Sequence, residues 1–390
     1  MRPAPIQPIE GFSLINMILQ TLHLCNRLQD LAIINPQRLF VKCLEWGYLL
    51  GMGNRPTLID VAKAAGVHLS TASRALNEST SAQISPETVK KVSKAARDLG
   101  YTINTVARGL RTKRTQTIGV IVPDLTNPIF PPIVRGIDSF LGPRGYSVLV
   151  VNTDNDPESE RNHFESLMRR QVDGLIIATG HTDKIILANY HNQGITAVMV
   201  NREAAGAPYP AVVGDDASGI NLGVAHLAAL GHKKLLHLTG PAESSTSRTR
   251  AQAFSAACKN HGLQGKIIKC SAYSIDAGQS AMDKFLDQNL HTITGVVAGN
   301  DLLALGVYHS LRAHGLKCPQ DVSVVGFNNM PFANDFQPPL TTIDAPHYEM
   351  GVQAARIILN EIEGEASSPV KIMLPVTLIV RGSTAVAKKI

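Results

Sequence analysis

From Thr117 onward the chain alternates short, almost wholly apolar runs with longer helical stretches, and it does so in two successive series. The first series is TIGVIVPD, YSVLVVNTD, DGLIIATG and ITAVMVNRE; the second is AVVGDD, KLLHLTGP, KIIKCSA, ITGVVAGND and SVVGFNN. Helical patterns over 157–170, 217–230, 247–261 and 302–314 lie between them. A strand that is apolar on both faces needs cover on both faces, which is the condition of a parallel sheet flanked by helices. Two series therefore predict two doubly wound lobes. Ligands in such folds bind beyond the carboxyl ends of the strands. The polar residues at those ends are Asp124, Asn127, Asn201, Arg202, Asn300, Asp301, Asn328 and Asn329, and Arg248 follows the GPAESSTSR loop. Each also has a local reading, because Asn and Asp at a strand end form turns and cap helices.

Ahead of this body, Pro56 to Asn77 (PTLIDVAKAAGVHLSTASRALN) places two short helical patterns on either side of Gly66-Val67. Thr57 is an N-cap, and Asp60 suits the positive end of the first helix. Ile59, Val61, Ala62 and Ala65 give an apolar stripe, and Gly66 supplies the left-handed residue that ends the helix. Ala72, Ala75 and Leu76 face inward on the second pattern and leave a polar and basic outer face. This is the pattern of a helix-turn-helix, which lays its second helix in the DNA major groove. On that geometry Arg74 forks onto guanine, Ser70 and Thr71 reach bases or phosphates, and Leu69 touches a thymine methyl. Thr57, Ser73 and Asn77 complete the candidate contacts. Ser85-Pro86-Glu87 then starts a third helix, striped by Val89, Val92, Ala96 and Leu99.

Charge follows the same division. Residues 55–114 hold 11 Lys/Arg against 4 acids, a net +7, while residues 115–390 come to −2 within a chain total of +6. A strongly basic module on a slightly acidic body is the electrostatic footprint of a DNA reader. The five cysteines (Cys25, Cys43, Cys258, Cys270, Cys318) are scattered without a C-x-x-C pair. That spacing predicts a reducing, cytoplasmic setting with no disulfide framework and no zinc site. No Gly-rich phosphate loop follows the first strand, and there is no nucleophile elbow, so neither an enzyme nor a cofactor is expected.

The segments TLIDVAKAAGVHLSTASRALN, ISPETVKKVSKAARDLGYTINTVARGLRT and TIGVIVPDLTNPIF resemble the LacI/GalR family of transcriptional repressors. So do GDDASGINLGVAHLAALGHKK, AGNDLLALG, DVSVVGFNN, PPLTTI and LPVTLIVRGST, all in family order over residues 55–385. The resemblance implies a helix-turn-helix domain at 55–102, a hinge and linker at 103–116 and a two-lobed ligand-binding and dimerisation domain at 117–385. In the family the segment matching Asn104–Leu110 is a hinge helix that orders on operator, with Asn104, Ala107 and Leu110 as its contacts. Leu110 stands where the family's leucine wedges into the minor groove, a device that kinks the duplex. Gly109 departs from the pattern and costs a helix about 1 kcal/mol relative to Ala, so this hinge is expected to be less ordered without DNA. His68 replaces a usual Ser.

The resemblance further implies a body like a type I periplasmic sugar-binding protein, with three crossovers between lobes. The N-lobe is expected over 115–210 and 333–342 with part of the following helix, and the C-lobe over 211–332 and the remaining tail. A small effector would lie between them, lined by Arg248, Asn300, Asp301 and Asn328 from the C-lobe and Thr126, Asn127, Phe130 and Arg202 from the N-lobe. Where the family commonly has aspartates, this chain has Asn201 and Asn328-Asn329. Losing those charges while keeping Arg202 and Arg248 predicts a more cationic pocket, suited to a sugar acid. The combined expectation is a homodimeric, sequence-specific repressor of double-stranded operator DNA, controlled by a sugar or sugar acid. A periplasmic-type sugar-binding protein and a ligand-independent DNA binder are the alternatives. Residues 1–54 match nothing in the family, and Met52 is the expected start. Their apolar runs are too broken for a membrane helix. The tail AVAKKI carries no apolar heptads, so a dimer without a tetramerising coiled coil is expected.

Overall fold

The computed structural model describes residues 56–102, 114–179, 184–204, 206–289, 292–365 and 371–388. The expected hinge contacts Asn104, Ala107 and Leu110, and the leader, lie outside the described residues. The chain divides into two separately packed units, before and after residues 104–105.

In the first unit α1 (Leu58–Ala65) begins in a reciprocal cap. Asp60 Oδ2 accepts from Thr57 N at 2.8 Å and from Thr57 Oγ1 at 2.7 Å. These hydrogen bonds hold the Asp60 carboxyl below its usual range. Gly66 closes α1 at φ +59°. His68 caps α2 (Leu69–Ala75): its Nδ1 accepts from Ser70 N at 3.3 Å and sits 2.8 Å from Ser70 Oγ. The short α3 (Glu78–Ser81) leads to α4 (Pro86–Asp98), capped by Ser85 with Pro86 in the first turn. The core is Val61, Ala62, Ala65, Ala72, Ala75, Val92, Ala95 and Ala96. Six alanines and two valines on facing helices bring the backbones close, as small residues permit. Ile59 departs from the stripe expected of it: it is 53 % exposed, and Leu58 packs on the core in its place.

The second unit holds two six-stranded sheets. The first has the order β11-β5-β4-β3-β1-β2, with β1 (Thr117–Val122), β2 (Ser147–Asn152), β3 (Gly174–Ile177), β4 (Ala197–Val200), β5 (Ala211–Gly214) and β11 (Lys371–Leu374) all parallel. Its helices are α5 (Phe130–Leu141), α6 (Pro157–Arg169), α7 (Lys184–Asn192) and α12 (His347–Glu363). The second sheet has the order β12-β10-β9-β8-β6-β7, with β6 (Lys234–Thr239), β7 (Gln264–Lys269), β8 (Gly295–Ala298), β9 (Ser323–Asn328) and β10 (Thr341–Asp344) parallel. The edge strand β12 (Thr377–Ile379) runs antiparallel to β10. Between them run α8 (Asp216–Ala229), α9 (Ser245–Asn260), α10 (Ile275–Asn289) and α11 (Asp301–Ala313).

All nine expected strands are present. The expected lobe boundaries need correction. β5 belongs to the first sheet, β10 to the second, and β11 returns to the first. The chain therefore crosses between lobes after Gly214, after Asp344 and after Leu374. Four-residue strands carry no sequence mark of which sheet they join, because pairing is decided by the neighbour and not by the strand itself. Both sheets share one winding, with the second strand outside the first and the third on its other side. The order thus reverses between β1 and β3 and again between β6 and β8, and such a reversal opens a crevice at the carboxyl ends.

Candidate functional site

Two surfaces carry chemistry, one in each unit. On α2, Leu69 is 40 % exposed, Ser70 and Arg74 are exposed, and Thr71, Ser73 and Asn77 are half-buried, while Ala72 and Ala75 are buried. The outer face of α2 is therefore the polar one the sequence predicts. Its first turn is fixed by the His68 cap, which also orients Ser70. Lys63, Lys90, Lys91 and Lys94 are exposed on the neighbouring helices.

In the second unit the crevice ends of the two sheets bring together a set of buried polar groups. Arg202 follows β4 and is buried. Burial lowers its pKa, Tyr273 raises it, Arg250 lowers it and Glu160 raises it. Its Nε has no hydrogen-bond partner. Asn201 beside it takes a left-handed φ of +61° and donates to Val212 O, a conformation Asn tolerates well. Asn328, also buried, ends β9 at φ +108°. Asn329 is engaged structurally, accepting from Arg381 and donating to Asp344.

Several candidates also serve the fold. Asn300 caps α11 by accepting from Leu303 N at 2.8 Å. Asp301 is fully buried and accepts from Thr342 Oγ1 and Met330 N, tying α11 to the β9–β10 region. Burial pushes its carboxyl up to about 7. Thr126 closes a turn on Asp124 and is exposed, and Asn127 is buried in the same turn. Phe130 is wholly buried in the core.

Arg248 requires a correction. It is exposed, and its guanidinium folds back onto the carbonyls of Ala242 and Glu243. The arginine in the crevice is Arg250. Its Nε and Nη2 donate to Asp216 Oδ1 at 2.9 and 2.6 Å, Nη1 donates to Gly299 O, and its Cζ lies over the Phe327 ring, 3.6 Å from the centroid. Residues two apart on a helix face different ways. The signal was in the sequence: the buried stripe Ala253, Phe254, Ala257, Cys258, continued back one turn, lands on 250 and not on 248.

Glu160, Asp216, Tyr273, His237 and His347 were not foreseen. Glu160 is buried on α6, and its Oε1 accepts from Thr179 Oγ1 at 2.7 Å while Oε2 has no partner. Burial pushes its carboxyl up to about 7, against the opposing effects of Thr179 and Arg202. His237 and His347 are driven down to about 4 by burial, with Arg250 adding to the effect, so both are neutral at pH 7. Tyr273 meets Ser247 Oγ at 2.7 Å. Among the described residues no cluster of His, Cys, Asp or Glu is arranged to hold a metal, and no helix is long and apolar enough to cross a membrane.

Comparison with known proteins finds matches to both parts of the chain. Residues 57–104 match the family model of bacterial regulatory proteins of the lacI family, and residues 115–381 match that of periplasmic binding proteins and the sugar binding domain of the LacI family. The HTH-type transcriptional regulator DegA of Bacillus subtilis is 33 % identical over 336 residues, covering 85 % of this chain and 98 % of DegA. A structure of the lac repressor dimer bound to operator and the anti-inducer ONPF superposes with a TM-score of 0.77 at 29 % identity, covering 85 % of this chain and all of that one. A LacI family regulator from Enterococcus faecalis with bound ribose gives a TM-score of 0.64 at 32 % identity, covering 70 % of this chain and all of that one. The chain belongs to the LacI family and is a DNA-binding transcription regulator, not an enzyme.

Proposed function

We propose that the protein is a homodimeric repressor that reads a near-palindromic operator, one α2 helix per half-site, and that a sugar-class effector in the crevice sets its operator affinity. The observation that carries the reading is the outward polar face of α2 on a +7 module, joined in one chain to a doubly wound body whose crevice ends gather Arg202, Arg250, Asn201 and Asn328. The lac repressor relative is a dimer on operator, and the Enterococcus relative holds ribose, which supports both halves of the reading. Leu69, Ser70, Thr71, Ser73, Arg74 and Asn77 are the proposed major-groove contacts, with Thr57 at the backbone. Asn104, Ala107 and Leu110 are proposed at the operator centre. Dimeric half-sites are expected about one or more helical turns apart.

The test uses DNA selected from a random pool by the full chain. Arg74→Ala should cost about 1–3 kcal/mol on the selected site and relax preference at one base pair. Fluorescence anisotropy on the selected site and its single-base variants reads this. An equal loss on every sequence would reduce Arg74 to a phosphate contact.

A further inference from the structure

Two buried polar atoms at the crevice end of the first sheet have no partner: Glu160 Oε2, an acceptor, and Arg202 Nε, a donor. Thr153 Oγ1, in the β2–α6 connection, is a third. A buried polar atom left unpaired costs free energy, and such atoms are uncommon in native proteins. Their side chains come from adjoining parts of one sheet: Thr153 follows β2, Glu160 opens α6, its partner Thr179 follows β3, and Arg202 follows β4. Glu160 and Arg202 also feel each other's charge. Resting on the effector reading above, we propose that Glu160 and Arg202 together receive two hydroxyls of a neutral polyhydroxylated effector, and that Glu160 excludes the corresponding acid.

A vicinal diol offers the complementary donor and acceptor. One hydroxyl donates to Glu160 Oε2 while the next accepts from Arg202 Nε–H, and no charge is added to the site. An effector carboxylate would meet Arg202 but also the Glu160 carboxyl beside it. The second guanidinium gives no reason to prefer an anion, because Arg250 is already paired with Asp216, the two side chains being 5 % and 12 % exposed. Arg202 and Arg250 thus each have a carboxylate acting on them, Glu160 on the first and Asp216 on the second.

The expected pH dependence has a definite sign. Burial places the Glu160 carboxyl at about 7, with Thr179 and Arg202 the groups that act on it from neighbouring strand ends. The hydroxyl donates to the ionised form. Binding therefore weakens as pH falls through about 7 and levels off above it, by about tenfold between pH 8 and pH 6.

The experiment is calorimetric titration of the full chain with D-ribose, a panel of neutral pentoses and hexoses, and their aldonic acids, at pH 6 and pH 8. The proposal expects a neutral sugar to bind at least about tenfold tighter than its acid, with the pH dependence above. Glu160→Gln should weaken that sugar by about tenfold and flatten its pH profile. Glu160 acting only through Thr179 would leave the profile unchanged. A neutral sugar that binds with a flat profile in the wild type overturns the proposal without calling on any variant, and leaves the effector reading standing. Preference for an acid does the same. No binding by any sugar or acid overturns the effector reading itself.

Discussion

Replacing Arg250 by Ala should lower stability by about 3–5 kcal/mol, because Asp216 is then a buried carboxylate without its partner. The loss is specific to charge pairing: the guanidinium makes two bonds to Asp216 Oδ1, one to Gly299 O and a stacked contact with Phe327. In a lobed body of this size the change corresponds to a fall in melting temperature of roughly 10 °C. Removing both charges, as Arg250→Met with Asp216→Asn, should recover most of it, since the penalty is the uncompensated ion. Arg248→Ala is the contrasting change. That side chain is exposed and donates to two loop carbonyls, so its effect should stay within about 0.5 kcal/mol. Urea denaturation followed by circular dichroism distinguishes the two. Equal losses at 248 and 250 would contradict the assignment of the crevice arginine.

The second large effect lies where α5 and α12 cross. A Cβ at Gly351 would fall on the Ile133 carbonyl oxygen, and one at Gly136 on the Tyr348 carbonyl oxygen. Each helix presents its glycine to the other's backbone, and neither backbone can yield as a side chain could. Gly351→Ala should therefore destabilise by about 3 kcal/mol or more, despite the better helix propensity of Ala. Gly142 lies just after α5 with helical φ and ψ and nothing within 4 Å of a Cβ, so Gly142→Ala should instead stabilise by about 0.4–1 kcal/mol. Opposite signs for two glycine-to-alanine changes in one lobe, read by thermal unfolding, would verify the crossing. A neutral Gly351→Ala would mean that the helices do not approach so closely.

Much of this architecture is legible in the residues, and the exceptions have physical reasons. Apart from the edge strand β7, the strands from Thr117 to Asn328 declare themselves by their apolar runs, and Thr57, Gly66 and Ser85 mark helix ends by chemistry that acts within a few residues. β10, β11 and β12 are three or four residues long, and nothing local says which sheet receives them. In the crevice, Arg202 was legible because it stands directly after an apolar run. Glu160 and Asp216 were not, because an acid in the first turn of a helix reads first as a favourable dipole partner. Their burial is set by segments far away in sequence, Thr179 for one and Arg250 for the other. Asn300 and Asp301 stood at a strand end, and they also act as a cap and a strut.

Control of the operator by an effector requires coupling between the crevice and the DNA-reading helix. Its most direct test is the dissociation constant of the full chain on its selected operator, measured with and without saturating neutral sugar. Linkage predicts a change of about 5- to 150-fold for at least one sugar, and an equal change in sugar affinity when operator is bound. An operator affinity that no crevice ligand alters would contradict the account and leave a DNA binder that ignores its own crevice.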